Sequence, residues 1–328
     1  MVMTDDAQPV LVGNKVEAAI PYYMSREFVV TAQDAGEVIA LENNIMVVQY
    51  KNGKRDSFSL DPVQQKNSAG GFYIETKFNT DLSVGNSFKK GQILAYNPKA
   101  FSRNTNDLSA SLNIGVLCKI AIVPTYDEYE DSAPITKLAA ERLATSITME
   151  QSIVINRNAR VEKILKPGDH VNIGDTLAVF DDWQEDPKVA DWLADLAEDL
   201  GQNVSEHIST SESSEYSGEI VDVKYYSAVD LEELSPSLRP YVEDYWNKIK
   251  AKNKVLDKYK NEDDFKTLKC GQLITEKAGK TEARNGKIFG REVNDGVLVR
   301  FFIKHKDIVK KGDKLTKLCR EIGENKPC

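Results

Sequence analysis

Between residues 36 and 60, in GEVIALENNIMVVQYKNGKRDSFSL, short apolar and polar runs alternate around Asn43-Asn44 and Asn52-Gly53. Alternation is the period of a half-buried strand, and Asn and Gly tolerate the left-handed backbone of a tight hairpin. The stretch therefore predicts a strand meander. LNIGVLCKIAIV (112–123) is a continuous apolar run and predicts a long buried strand. ITKLAAERLA (135–144) switches to helical spacing, with Ile135, Leu138 and Leu143 on one face. A strand is expected over ITMEQSIVI, and then a second β region that runs to Phe180.

Two helical patches follow. Asp186-Pro187 combines an N-cap residue with proline at the first turn; Val189, Trp192, Leu193, Leu196 and Leu200 line one face, and Gly201 is a natural stop. SEHISTSESSEYS (205–217) reads as a polar loop and GEIVDVKYY (218–226) as a strand. A second helix is expected over 237–260, with Tyr241, Val242, Tyr245, Trp246 and Ile249 on its apolar side. That aromatic face is either core packing or, if open, a docking surface. VLVRFFIK (297–304) is a final strand.

One pattern recurs: Phe88-Lys-Lys-Gly91-Gln-Ile-Leu94, Val171-Asn-Ile-Gly174-Asp-Thr-Leu177 and Val309-Lys-Lys-Gly312-Asp-Lys-Leu315. Glycine supplies a positive-φ turn and the flanking apolar residues enter a core. The copies are unequally spaced, which excludes a solenoid and fits a turn reused in small β-barrels.

Composition narrows the class. The chain has 328 residues, is 29% charged and 41% hydrophobic, and carries a net charge of −8. This suits a soluble globular protein, and no apolar run approaches the roughly 18 residues that span a bilayer. MVMTDDAQPV lacks a basic region followed by an apolar stretch, so a cytoplasmic setting without a signal peptide is expected. The acidic balance disfavours a nucleic-acid-coating protein. Residues 301–328 run against it, with eight basic and four acidic side chains. Such a tail is either phosphate-facing or simply solvated.

Cys118, Cys270, Cys319 and Cys328 form no CxxC pair, and His170, His207 and His305 are scattered, which excludes a zinc site. There is no P-loop, no GxGxxG and no GxSxG. The densest chemical signal is Tyr126-Asp127-Glu128-Tyr129-Glu130-Asp131. Four carboxylates in five positions can hold a hard cation such as Mg²⁺, or form an exposed acidic turn that caps a helix.

The order of these motifs resembles the central part of the β subunit of multisubunit DNA-directed RNA polymerases. Asp5-Asp6-Ala7 with Gly13-Asn14 and Ala19-Ile20-Pro21 is similar to the family's DDAN segment; Ala35-Gly36-Glu37-Val38 follows in place. Val84-Gly85 through Lys89-Lys90-Gly91-Gln92-Ile93-Leu94-Ala95 resembles its KGQVLA stretch, and Tyr126 through Ser132 with Glu141-Arg142-Leu143 its GYNFEDSILISERL. Tyr216-Ser217-Gly218-Glu219-Ile220-Val221-Asp222-Val223 and Val309–Leu315 resemble two further stretches in the family's order.

The resemblance implies a mostly β protein with some α: a double-psi β-barrel of β-subunit type with an inserted flap-like sandwich-barrel module. Residues 1–30 would be a fork or link segment, 31–155 the first part of the barrel region, 156–295 the flap-like insertion, and 296–328 the returning strand with its basic tail. Glu130 and Asp131 match the pair near the second, transient Mg²⁺ and the incoming nucleotide, while the main Mg²⁺ site belongs to a partner β′-like chain. Lys314 matches the first of two barrel lysines at the nucleotide and the RNA 3′ end. Asn14 and Lys326 are the other nucleotide or RNA candidates. Trp246 and Tyr245 fall where the family's flap tip docks an initiation factor.

Three departures accompany the match. The family's arginine after DDAN falls near Pro9, its RHGNKG is replaced by Arg320-Glu-Ile-Gly323-Glu-Asn325-Lys326, and the chain covers only the middle of β. The resulting expectation is one piece of a split β subunit, as in giant-bacteriophage polymerases, acting in the host cytoplasm or carried in the virion. It would work with other β fragments, β′-like chains, template DNA, nascent RNA and a promoter-specificity factor, and with no membrane. The alternative is a non-catalytic β-barrel binding or virion structural protein.

Overall fold

The computed structural model describes residues 4–12, 16, 19–24, 28–67, 71–103, 109–120, 136–181, 210–259, 266–267 and 277–306. Along the chain run β1 (Gln8–Pro9), α1 (Ile20–Tyr23), β2 (Val29–Thr31), β3 (Gly36–Glu42), β4 (Ile45–Tyr50), β5 (Arg55–Ser59), β6 (Val63–Lys66) and β7 (Tyr73–Thr76). Next come β8 (Ser87–Phe88), β9 (Ile93–Tyr96), β10 (Phe101–Arg103), β11 (Ala110–Gly115), α2 (Lys137–Leu143), β12 (Ser146–Asn156), β13 (Arg160–Ile164), β14 (His170–Val171) and β15 (Thr176–Asp181). Last are β16 (Thr210–Ser213), β17 (Gly218–Ser227), α3 (Arg239–Tyr259), β18 (Lys266–Thr267), β19 (Lys287–Ile288), β20 (Arg291–Glu292) and β21 (Gly296–Lys306). The fold is mostly β, and among the described residues its sheets are open, with no closed barrel.

The meander forms as its turns demand: Asn43 and Asn44 have φ of 50° and 58° between β3 and β4, and Gly53 has φ 82° between β4 and β5. Three expectations change. The strand after 110 stops at Gly115, and Leu117 and Ile120 beyond it are exposed. Helix α2 forms, capped by Thr136 Oγ1 accepting from the Ala139 amide at 3.2 Å, but Leu138 and Leu143 are exposed. Part of the polar loop is a strand: β16 pairs with β15, an edge position that polar residues tolerate. The helix expected after Asp186-Pro187 lies outside the described residues.

A six-stranded sheet, β14-β17-β21-β12-β7-β6, packs one face on the sheet β13-β15-β16 and on the first half of α3. Ile153, Ile155, Ile220, Val299, Phe301 and Ile303 form this core with Leu177, Val242 and Trp246. A five-stranded sheet, β18-β5-β4-β3-β8, closes a second core around Val38, Met46, Phe58 and Leu94. Helix α3 bridges the two, since its Val255 packs on Ala40, Ile45 and Val47.

The two cores are built on the same frame. Gly85 N–H donates to the Val38 carbonyl and Val38 N–H returns to the Asn86 carbonyl; Gly91 and Gln92 do the same with Ala32. In the second core Gly168 and Asp169 pair in this way with Ile220, and Gly174 and Asp175 with Ser214. Each of the four turns is closed by its last side chain. Asn86, Gln92, Asp169 and Asp175 accept from the amides of Ser83, Lys89, Lys166 and Asn172 at 2.7, 3.0, 2.8 and 2.7 Å. All four glycines have φ between 79° and 98°, the region a side chain resists.

The registers coincide too. Gly36 faces Phe88 as Gly218 faces Val171. The β3–β4 ladder shifts after Val38 as the β17–β21 ladder shifts after Ile220. The β2–β9 pairs Thr31–Ile93 and Val30–Ala95 match Ser213–Thr176 and Glu212–Ala178, with the irregularity in the same place. The chain order differs by a cyclic permutation. In the first module β3, β4, β5 and the tandem turns come in that order; in the second β12, the turns, β17 and β21 do, with β12 in the place of β5 and β21 in that of β4.

Candidate functional site

Ladder β12–β21 is antiparallel through all eleven residues of each strand, from Asn156 opposite Gly296 to Ser146 opposite Lys306. Alternating Ile153, Ile155, Val297, Val299, Phe301 and Ile303 commit one face to the core, which fixes the register. At the Ser146–Lys306 end the chain arrives from α2 and departs after Lys306.

That end gathers residues from distant parts of the sequence. The Asp5 carboxylate accepts from Ser146 Oγ at 2.5 Å and from Lys99 Nζ at 2.9 Å, and Asp5 N–H donates to the Ala144 carbonyl at 3.1 Å. Burial pushes the Asp5 carboxyl up, but the bonds from Ser146 and Lys99 outweigh it and leave its pKa below the usual carboxylate range. On the opposite strand, the His305 ring Nδ1 lies 2.7 Å from the Ser217 carbonyl.

The outward face of the same ladder carries a second cluster. Arg300 Nε donates to Glu150 Oε1 at 2.7 Å, Arg300 Nη2 reaches Tyr73 Oη at 3.1 Å, and Tyr73 Oη also bonds Glu150. The guanidinium lies over Phe289 at 4.3 Å and Phe302 at 5.3 Å. Burial raises the Glu150 carboxyl, yet the bonds from Arg300 and Tyr73 bring it down to about 2. Burial and then Glu150 push the Tyr73 phenol up to about 12. Burial opposes the Arg300 charge, but Glu150 holds it above its ordinary value. Lys304 adds a bond to Glu75 at 3.3 Å. A satisfied cluster of this kind fastens the β6–β7 edge, which meets β12 only at the Thr148–Tyr73 pair. It was missed in sequence, where its one signal is an arginine inside the apolar run VLVRFFIK.

The residues expected to carry chemistry, Lys314, Glu130, Asp131, Asn14 and Lys326, lie outside the described residues, and so does the acidic run from Tyr126. Among the described residues no group of three or more His, Cys, Asp or Glu side chains could hold a metal. Trp246 is 7% exposed and enclosed by the protein's own core. Tyr245 is half-buried, with its ring 5.9 Å from Tyr225 and 6.5 Å from Tyr226. The aromatic face of α3 is thus occupied by packing, because Val242, Trp246 and Ile249 recur at the three- and four-residue spacing of one helix side. No described helix is long and apolar enough to cross a membrane.

Neither a protein-family model nor any curated protein matches this chain.

Proposed function

We propose that this chain is a fragment of the catalytic β subunit of a multisubunit DNA-dependent RNA polymerase, of the split kind found in giant bacteriophages. The carrying observation is the Ser146–Lys306 pairing. It tethers to one end of one ladder the chain leading back to Glu130 and Asp131 and the chain leading on to Lys314. These are the segments that resemble the family's nucleotide-handling positions. The Asp5 contacts add to this. They join the segment that resembles DDAN, the loop after the KGQILA stretch, and the joint that follows Glu141-Arg142-Leu143.

In this reading Lys314 neutralises phosphate charge at the nucleotide and RNA 3′ end, with Asn14 and Lys326 as neighbouring contacts. Glu130 and Asp131 act on the second Mg²⁺ only while nucleotide is bound, since Mg²⁺ keeps waters and phosphates among its ligands. The principal Mg²⁺ is held by a β′-like partner. The double-psi barrel and flap-like insertion belong to the same reading. Exposed Leu11, Val12, Ile114, Ile120 and Leu138 suit a chain that is covered by other polypeptides of the enzyme.

Two measurements test it. Affinity purification of the full chain from its producing cell should bring down β′-like chains, and recovery of the chain alone or as a homopolymer overturns the proposal. In the assembled enzyme, Lys314→Ala should slow nucleotide addition about 10²–10³-fold without dissolving the complex, the typical cost of one preorganised charge at a reacting group. Near wild-type addition would remove Lys314 from the site.

A further inference from the structure

The two modules share a frame but differ in where the chain is cut. In the first, β4 and β5 are joined by the hairpin at Lys51–Lys54, closed by Tyr50 N–H donating to the Lys54 carbonyl at 2.8 Å. In the second, the corresponding ends are Lys306 of β21 and Ser146 of β12, which no turn connects. The last two pairs, Ile147–His305 and Ser146–Lys306, also run past both neighbouring strands. β7 reaches β12 only at Thr148, and β17 reaches β21 no further than Lys304. Among the described residues this ladder end is neither closed by a turn nor flanked by a strand, and such an end frays at little cost.

Two side-chain clamps stand at this end, one on each strand. Asp5 holds Ser146 and is itself held by Lys99. His305 holds the Ser217 carbonyl. We propose that Asp5 and His305 are positioning residues that replace the missing hairpin and hold the ladder end, from Ile147–His305 to Ser146–Lys306, in register. The effect on nucleotide addition rests on the polymerase reading; the clamping itself does not. Neither residue is assigned contact with substrate.

The open ladder can be closed by another route. Ser146 and Lys306 are directly opposed, so the pair Ser146→Cys with Lys306→Cys offers a cross-strand disulfide in place of the clamp. In the assembled complex on a preformed DNA–RNA scaffold, Asp5→Ala should raise the nucleotide KM and lower kcat, by about tenfold together, at unchanged scaffold affinity. Asp5→Glu should recover most of this, and His305→Ala should shift both constants in the same direction. Adding the cysteine pair to Asp5→Ala should restore the wild-type constants when oxidised and not when reduced.

A merely structural role for Asp5 would reduce the active fraction and leave KM alone. That result, wild-type constants in Asp5→Ala, or failure of the oxidised pair to restore them would overturn the proposal. If the wild-type complex adds no nucleotide, the polymerase reading falls instead. The clamp is then decided by amide exchange in the full chain. Asp5→Ala should speed exchange at residues 147–149 and the oxidised pair should slow it; unchanged exchange overturns the proposal.

Discussion

The β3–β4–β5 module and the β12–β17–β21 module have the same four tandem-turn contacts and the same ladder irregularities, yet opposite outer faces. In the first, the outward positions Ala40, Ile45 and Val47 are apolar, because the second half of α3 lies on them through Val255. The matching positions of the second are Asp222, Arg300 and Phe302: Arg300 bonds Glu150 and Tyr73, Lys224 lies over the Phe302 ring, and Asp222 is the ladder partner of Phe302. Register is set by turn and core, whereas the outer face answers to whatever covers it. Chain order matters to neither, since a ladder pairs alike whichever end its strands are joined at. What the permutation changes is where free ends emerge, and in the second module they emerge at the Ser146–Lys306 pair.

The sharpest way to break the equivalence is at the paired glycines. A Cβ at Gly36 would lie 2.2 Å from the Gln49 carbonyl oxygen, and one at Gly218 would lie 2.1 Å from the Lys304 oxygen. Each must push a backbone strand aside, so Gly36→Ala and Gly218→Ala should each cost about 3 kcal/mol, the upper range of overpacking. Urea midpoints of the two variants should fall together; a loss at one position only would show that the modules are not equivalent there.

A smaller effect is expected at the turn side chains. Asn86→Ala and Asp169→Ala each remove the acceptor for one exposed turn amide, at 2.7 and 2.8 Å. Each should cost about 1 kcal/mol, the net worth of one such bond. If the cost is one of backbone ordering instead, the glycines of these turns will dominate and both alanine variants will melt with the wild type.

The last effect should separate the modules, because it depends on pH in only one of them. Glu150 has a folded-state pKa of about 2 against an ordinary 4.5, so its contribution is present above about pH 4.5 and is lost as pH falls towards 2. Its counterpart in the first module, opposite Val47, is Ser57, which does not titrate in this range. The urea midpoint of Glu150→Gln should therefore approach that of the wild type as pH falls from 5 to 2. A difference that stays constant over that range would mean that the Arg300 pairing adds nothing pH-dependent.

The sequence by itself determined the local pieces. Asn43-Asn44, Asn52-Gly53 and the apolar-x-x-Gly turns at Gly91 and Gly174 could be read directly, because a positive φ and an acceptor three residues away act within a few residues of chain, while the third copy, Val309–Leu315, lies outside the described residues. The strands 36–50, 218–227 and 296–306 and helix α3 were legible for the same reason, since periodicity is a local signal. Tertiary structure alone decided what those pieces meet. It exposed Leu138 on a well-capped helix, paired polar β16 with β15, enclosed Trp246, and drew Asp5, Lys99 and Ser146 to one point. It also showed that Gly36-Glu37-Val38 and Gly218-Glu219-Ile220, each legible as a separate motif, occupy one position in two permuted copies of a single frame. Such pairings join residues far apart in sequence, and their free energy depends on which surfaces are buried together rather than on any short run of residues.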